Sequence, residues 1–166
     1  MKTKWVGSPN YTIDRQGTKI DRIVIHWMDG TLAGTDQVFQ DVKRQTSAHY
    51  GVENSVVHEY VDESNTAYHA GVWAMNLRSI GIEHSSAPDR PATSSTINTS
   101  AKLVADICKR NNIPCDRTHI IKHSEVPYAT ACPGTIPIDE IVSKADVILK
   151  GDTVQKVDLF TARRLA

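Results

Sequence analysis

The sequence predicts an α/β fold, a central mixed β-sheet flanked by helices, on three observations. Short β-branched runs at Arg22–Trp27 and Ser79–His84 have the length and composition of buried strands. Between and after them lie stretches with apolar residues at helical spacing, the clearest at positions 97, 101, 104, 107 and 108. Strands interleaved with helices build a helix-covered sheet rather than a helical bundle or a sandwich. A chain of 166 residues can bury one core unaided; residues 1–150 read as one domain and residues 151–166 as a C-terminal tail or the start of a linker.

Taken in order, Arg22-Ile23-Val24-Ile25-His26-Trp27 delivers His26 at the C-terminal end of a strand, with Gly30 and Gly34 as breakers after it. Thr35 to Gln45 is the first predicted helix, with Val38, Phe39 and Val42 on one face and Thr35 or Asp36 as its cap. Ala48–Val52 and Val56–Val61, joined by the polar Glu53-Asn54-Ser55, form a hairpin. Ser79–His84 brings Glu83 near a strand exit, and a polar loop runs from Ser85 to about Ser95. The helix containing Ile97, Ala101, Val104, Ile107 and Cys108 is stopped by Asn111-Asn112 and Pro114. Thr118 to Lys122 is a short strand ending at His123, and Ile138, Ile141, Val142, Ala145, Ile148 and Leu149 define a last helix closed by Gly151.

Acidic and basic residues balance at 19 each, with no polybasic run, which argues against a nucleic-acid partner or an electrostatic membrane anchor. No apolar stretch approaches the roughly 20 residues of a spanning helix, and the Met1–Trp5 segment leads into polar sequence rather than a signal-peptide core. Synthesis in a cytoplasm without a signal peptide is therefore expected. The cysteines 108, 115 and 132 are too few and too unevenly spaced for a disulfide framework. Cys108 continues an apolar stripe and reads as core, Cys115 lies in a turn without an assigned role, and a bridge between them stays open as an alternative.

The stretch richest in chemistry is His123-Ser124-Glu125, followed nine positions after the histidine by Cys132. With His26 upstream, two imidazoles and a thiolate can make a three-ligand zinc site whose fourth position is left to water, the arrangement of a hydrolytic rather than a structural zinc. The seven histidines permit other sets, and spacing alone does not choose. The i, i+4 pair His119 and His123 would suit a helix, but in an extended segment its side chains sit about 13 Å apart.

Five motifs occur here in one order: Ile23-Val24-Ile25-His26; Ser47-Ala48-His49-Tyr50; Ala67-Tyr68-His69-Ala70-Gly71; Ser79-Ile80-Gly81-Ile82-Glu83; and His123 with Ala131-Cys132-Pro133-Gly134. In these the chain resembles, over roughly residues 20 to 150, the zinc-dependent N-acetylmuramoyl-L-alanine amidases, which include phage lysins, cell-wall recycling amidases and animal peptidoglycan recognition proteins. The resemblance implies His26, His123 and Cys132 as zinc ligands and Glu83 as the group that activates water. Some members use a tyrosine where this chain has Ala48, which throws the burden onto Glu83. Many carry lysine where this chain has Thr130; a hydroxyl there can orient substrate or meet an oxyanion only through a neutral hydrogen bond, or simply cap a turn. His69 is expected to line the site, with Trp73, Asn76 and Arg78 on the following loop as groove residues. His49 is expected to support the sheet beneath the site, His58 to lie on the hairpin surface, His84 to back a ligand, and Trp27 to pack against the site wall.

The resemblance further implies hydrolysis of the amide between N-acetylmuramic acid and L-alanine, with peptidoglycan as partner and a monomer as the working form. The expected setting is a phage or prophage endolysin that acts on the cell wall after the membrane is permeabilised. A cytoplasmic recycling amidase, which usually carries aspartate at the position of Cys132, and a non-catalytic peptidoglycan-binding module are the competing readings.

Overall fold

Six strands form one mixed sheet in the computed structural model, which describes residues 2–127 and 129–164. In chain order the strands are β1 (Lys4–Trp5), β2 (Tyr11–Thr12), β3 (Arg22–Trp27), β4 (Tyr50–Glu53), β5 (Val56–Glu59), β6 (Thr66–Ala67), β7 (Ser79–His84) and β8 (Ile120–Lys122). The sheet runs β1-β5-β4-β7-β3-β8, and β2 pairs with β6 separately. Neighbours among β4, β7, β3 and β8 are parallel, while β5 is antiparallel to β4 across a turn with Asn54 at φ 52°. The mixed, helix-covered sheet is thus the predicted fold.

Alternation along the strands sorts the two faces. Ile23, Ile25, Ile80, Ile82, Tyr50, Val52 and Val57 point to one side, where they join Ile97, Leu103, Val104 and Ile107 of α3 (Ser94–Asn111) and Ile138, Ile141 and Ala145 of α4 (Ile138–Arg164) in the main core. Each large aliphatic side chain buried there contributes about 1.5–3 kcal/mol. The intervening residues, His26, Gly81, Glu83, His49 and Gly51, face the other way. That face is covered by α1 (Leu32–Gln40) over a small cluster of Leu32, Phe39 and Tyr60, and elsewhere by His69, which packs against Gly81. On this polar face lie His26, the first predicted ligand, and Glu83.

Several local expectations are corrected. The first helix begins at Leu32, because Thr31 Oγ1 accepts the Gly34 N–H at 3.2 Å; Gly34 sits in the first turn and neither Thr35 nor Asp36 is the cap. It ends at Gln40, where Asp41 caps a separate 3-10 turn, Val42–Arg44, and leaves Val42 exposed. Asp36 instead accepts hydrogen bonds from Tyr60 Oη at 2.7 Å and His58 Nδ1 at 2.9 Å. His58 is therefore buried, not a surface residue of the hairpin, because β5 is an inner strand flanked by β1 and β4. Gly151 does not close the last helix: α4 continues to Arg164, since one glycine in a helix interior costs about 1 kcal/mol without breaking the hydrogen-bond ladder. The expected tail is helical as far as Arg164, and residues 165 and 166 lie outside the described residues. Residues 73–78, read from sequence as loop, form a short helix, α2 (Trp73–Arg78). Cys108 is buried in the main core, Cys115 packs against it, and both are free thiols. No described helix is long and apolar enough to cross a membrane.

The Asp36 contact gives a test of how α1 is held. Asp36→Ala leaves the Tyr60 hydroxyl, on a fully buried side chain, without its acceptor, so a loss of about 1–3 kcal/mol is expected in urea unfolding. An unchanged midpoint would show that this bond does not hold the helix.

Candidate metal centre and active site

The register of β3 and β8 sets Ile25 beside Lys122, so His26 in β3 and His123, the residue just past β8, come side by side. Their ring centroids are 4.5 Å apart. His123 opens a 3-10 turn, His123–Glu125, and the Ser124 N–H donates to the Cys132 carbonyl at 2.8 Å, which ties the second ligand segment to the third. The Glu125 carboxylate fastens this turn from below: it accepts the Lys122 N–H at 2.7 Å and Arg117 Nη2 at 2.8 Å, while Arg117 also reaches Asp139 at the start of α4. Gly134 follows Cys132 with φ +60°, and a Cβ there would fall 2.5 Å from the Trp27 ring. Only glycine lets this loop close on Trp27, so that Trp27 forms the wall of the site.

One ligand atom each from His26, His123 and Cys132 lies within 4.8 Å of the others. His26 Nδ1 is 3.6 Å from Cys132 Sγ, against the 3.3–3.6 Å or so that a tetrahedral zinc imposes between nitrogen and sulfur ligands. Burial, with smaller contributions from neighbouring histidines, holds His26 well below the usual imidazole range, and burial lowers His123 too. Both rings are thus neutral and can offer lone pairs. Burial and then the charge of Glu83 push the Cys132 thiol up to about 12. Burial raises Glu83 to about 8, and its Oε2 is enclosed without a hydrogen-bond partner among the described residues. Two neutral imidazoles and a thiol, enclosed beside an unpartnered carboxyl, fit a borderline-soft cation such as zinc and do not fit the oxygen cages of magnesium or calcium.

Glu83 stands opposite His26 in the β3–β7 ladder, at the same end of the sheet. It also lines a cleft of about 270 Å³ with Trp27, Met28, Asp29, Val38 and Phe39. A second cleft of about 550 Å³ lies on the other flank, lined by Gln45, Thr46, Tyr68, His69, Trp73 and His123 among others. Trp73 is exposed there and packs obliquely on Tyr68, with ring centroids 6.3 Å apart. Asn76 borders the same cleft but its Oδ1 accepts the backbone N–H groups of His69 and Ala70, at 3.2 and 2.8 Å, so it shapes the His69 turn. Thr130 Oγ1 accepts the Cys132 N–H at 3.1 Å, a turn-capping bond.

Arg78 is not brought to either of these clefts. It precedes β7, five residues and about 16 Å of strand away from Glu83, and its guanidinium is paired with Asp21. His49 lies wholly buried beneath the site, where its Nδ1 accepts the Gly81 N–H at 3.0 Å. His84, on the α3 side, donates from Nδ1 to the His26 carbonyl at 2.8 Å and contacts Ser100 Oγ through Nε2, so it braces the backbone of a ligand rather than its ring. Tyr68, Ser79 and the Val38–Phe39 wall are site features that sequence reading passed over. The position of Tyr68 beside His69 in one motif was the available signal for the first.

Fold and donor set together define a class: α/β proteins with a three-donor metal-competent site at the C-terminal ends of parallel strands, beside a buried carboxyl. The chain belongs to the N-acetylmuramoyl-L-alanine amidase family, whose pattern matches residues 8–135. It is 33% identical over 112 residues to N-acetylmuramoyl-L-alanine amidase A of Achromobacter lyticus, an overlap of 65% of this chain and 61% of that protein, so it spans less than two thirds of that relative. Its fold is similar to that of a mutant endolysin from Bacillus subtilis, with a TM-score of 0.70 and 18% identity over 87% of this chain and 99% of the endolysin. It is also similar to the amidase AmiD of E. coli, solved with the substrate anhydro-N-acetylmuramic acid-L-Ala-D-gamma-Glu-L-Lys, with a TM-score of 0.66 and 23% identity over 78% of this chain and 59% of AmiD.

Proposed function

We propose that this chain is a zinc-dependent N-acetylmuramoyl-L-alanine amidase that hydrolyses the amide joining the lactyl group of N-acetylmuramic acid to the first L-alanine of peptidoglycan. The observation that carries this reading is the convergence of His26, His123 and Cys132 beside the unpartnered Glu83 carboxyl. Bound by those three side chains, zinc supplies Lewis acidity and a water acidic enough to ionise near neutral pH. In this reading Glu83 takes the proton of the attacking water and returns it to the alanine nitrogen as the C–N bond breaks, a role supported by its buried, unpartnered Oε2. Ala48 is buried and carries no proton donor, so no second acid–base group stands at that position. Thr130 orients the Cys132 turn and carries a hydroxyl, not a charge, so any help it gives a developing oxyanion is a neutral hydrogen bond. The exposed Trp73 ring and its neighbour Tyr68 offer an apolar ledge suited to a sugar face.

Residues 1–150 form the catalytic domain in this reading. A phage-type lysin is favoured over a recycling amidase by the thiol at position 132. In that setting the protein works as a monomer on the cell wall once the membrane has been opened.

Incubation of purified peptidoglycan with the zinc-loaded protein is expected to release new L-alanine amino termini, and a strong chelator is expected to stop the release and free about one zinc per chain. Wall binding without release, in zinc-replete protein, would establish the binding-module reading instead.

A further inference from the structure

His26 faces two ways. Its Nδ1 lies 3.6 Å from Cys132 Sγ, and its Nε2 lies 3.0 Å from Nδ1 of His69. The other ring nitrogen of His69 is 3.2 Å from Ser79 Oγ, and the Ser79 hydroxyl donates to the Met75 carbonyl at 2.5 Å. A carbonyl oxygen only accepts, so this chain of hydrogen bonds has one sense. With its proton committed to Met75, the Ser79 oxygen accepts from His69 Nε2–H. That tautomer leaves His69 Nδ1 as the acceptor for His26 Nε2–H, and His26 is left with its lone pair on Nδ1, the nitrogen that faces Cys132.

All three side chains are buried. The His69 ring lies against Gly81, where a Cβ would fall 2.6 Å from its Cγ. The glycine in Ser79-Ile80-Gly81-Ile82-Glu83 and the serine two residues before it therefore make one cradle: the first gives the ring room and the second takes its proton. Both nitrogens of His69 are used inside the protein, which leaves neither for a substrate.

We infer that His69 and Ser79 are positioning residues that fix the tautomer and ring orientation of His26 for the metal, rather than substrate contacts. This rests on the metal-site reading above. Partners that donate or accept behind a metal-bound imidazole commonly alter metal affinity by about 10–100-fold.

Two near-isosteric substitutions separate this role from space-filling. Asparagine can place its amide oxygen near the position of His69 Nδ1, whereas glutamine places its amide near Nε2 and leaves no acceptor where Nδ1 was. Zinc affinity is measured by competition with a chromogenic chelator, and imidazole tautomers by long-range ¹H–¹⁵N spectra of the metal-free parent. We expect His69→Gln to bind zinc about 10–100-fold more weakly than the parent, His69→Asn to keep most of the affinity, and His69 of the metal-free parent to be in the Nε2–H form. Equal affinities in the two variants, or His69 in the Nδ1–H form in the parent, overturn the inference. Should the parent itself fail to bind zinc, the metal reading falls, and the tautomer spectrum still decides the direction of the chain.

Discussion

Glu83→Gln is expected to bind zinc as the parent does and to lose about 10²–10⁴-fold in kcat, the range that a positioned acid–base group supplies. The substitution is clean for a structural reason. Glu83 Oε2 has no hydrogen-bond partner among the described residues, so no described group is stripped of an acceptor at that oxygen when an amide takes the carboxyl's place. Shape is nearly kept, and only the capacity to hold a proton is removed. Since that capacity is used only as the transition state forms, kcat and kcat/KM should fall together while KM moves little. Zinc content by elemental analysis and turnover on a soluble muropeptide check both halves. Parental turnover in a zinc-loaded Gln variant would remove Glu83 from the reaction; loss of zinc would show that the carboxyl serves the metal site instead.

Much of this architecture was legible because the decisive signals were local. Arg22–Trp27 and Ser79–His84 are β-branched runs, and strand register alone sets His26 opposite Glu83 and His123, just past Lys122, beside His26. The helix Ser94–Asn111 carried an unambiguous apolar stripe. What failed depended on partners distant in sequence. The start of the first helix is set by Thr31 reaching Gly34 N–H, and a glycine in a first turn has the same local signature as a glycine that breaks a helix. His58 looked like a hairpin surface residue because nothing nearby shows that Lys4–Trp5 adds a strand outside it or that Asp36 comes to meet it. Arg78 adjoins the Ser-Ile-Gly-Ile-Glu motif in sequence yet lies at the far end of the strand, where Asp21 takes it. Adjacency in a motif fixes distance along the chain, not which end of the sheet a side chain occupies. His69 shows the same limit: its motif brings it to the site, but whether its nitrogens face outward or toward His26 and Ser79 depends on packing across the sheet.

Gly81→Ala and Gly51→Ala make a matched pair that tests whether the polar sheet face is built around the metal site or merely accommodates it. Both glycines lie on that face, in neighbouring strands, and both are crowded: a Cβ at 81 would fall 2.6 Å from His69 Cγ, and one at 51 would fall 2.8 Å from Leu32 Cδ1 and 3.0 Å from Tyr60. Overpacking by one methyl in a rigid interior costs about 1–3 kcal/mol, so each variant should unfold at lower urea by a similar amount. Their effects on the metal should differ. The alanine at 51 pushes on Leu32 and Tyr60, which belong to the small cluster under the first helix, so zinc affinity should stay at the parental level. The alanine at 81 pushes on a histidine whose Nδ1 is 3.0 Å from a proposed ligand, and a ring held at both nitrogens can give way only by breaking a bond to His26 or to Ser79. Zinc binding should therefore weaken at least about 10-fold in Gly81→Ala alone. Equal zinc affinity in the two folded variants would mean that the His69 ring yields without disturbing His26, and that the face tolerates change independently of the ion it is proposed to hold.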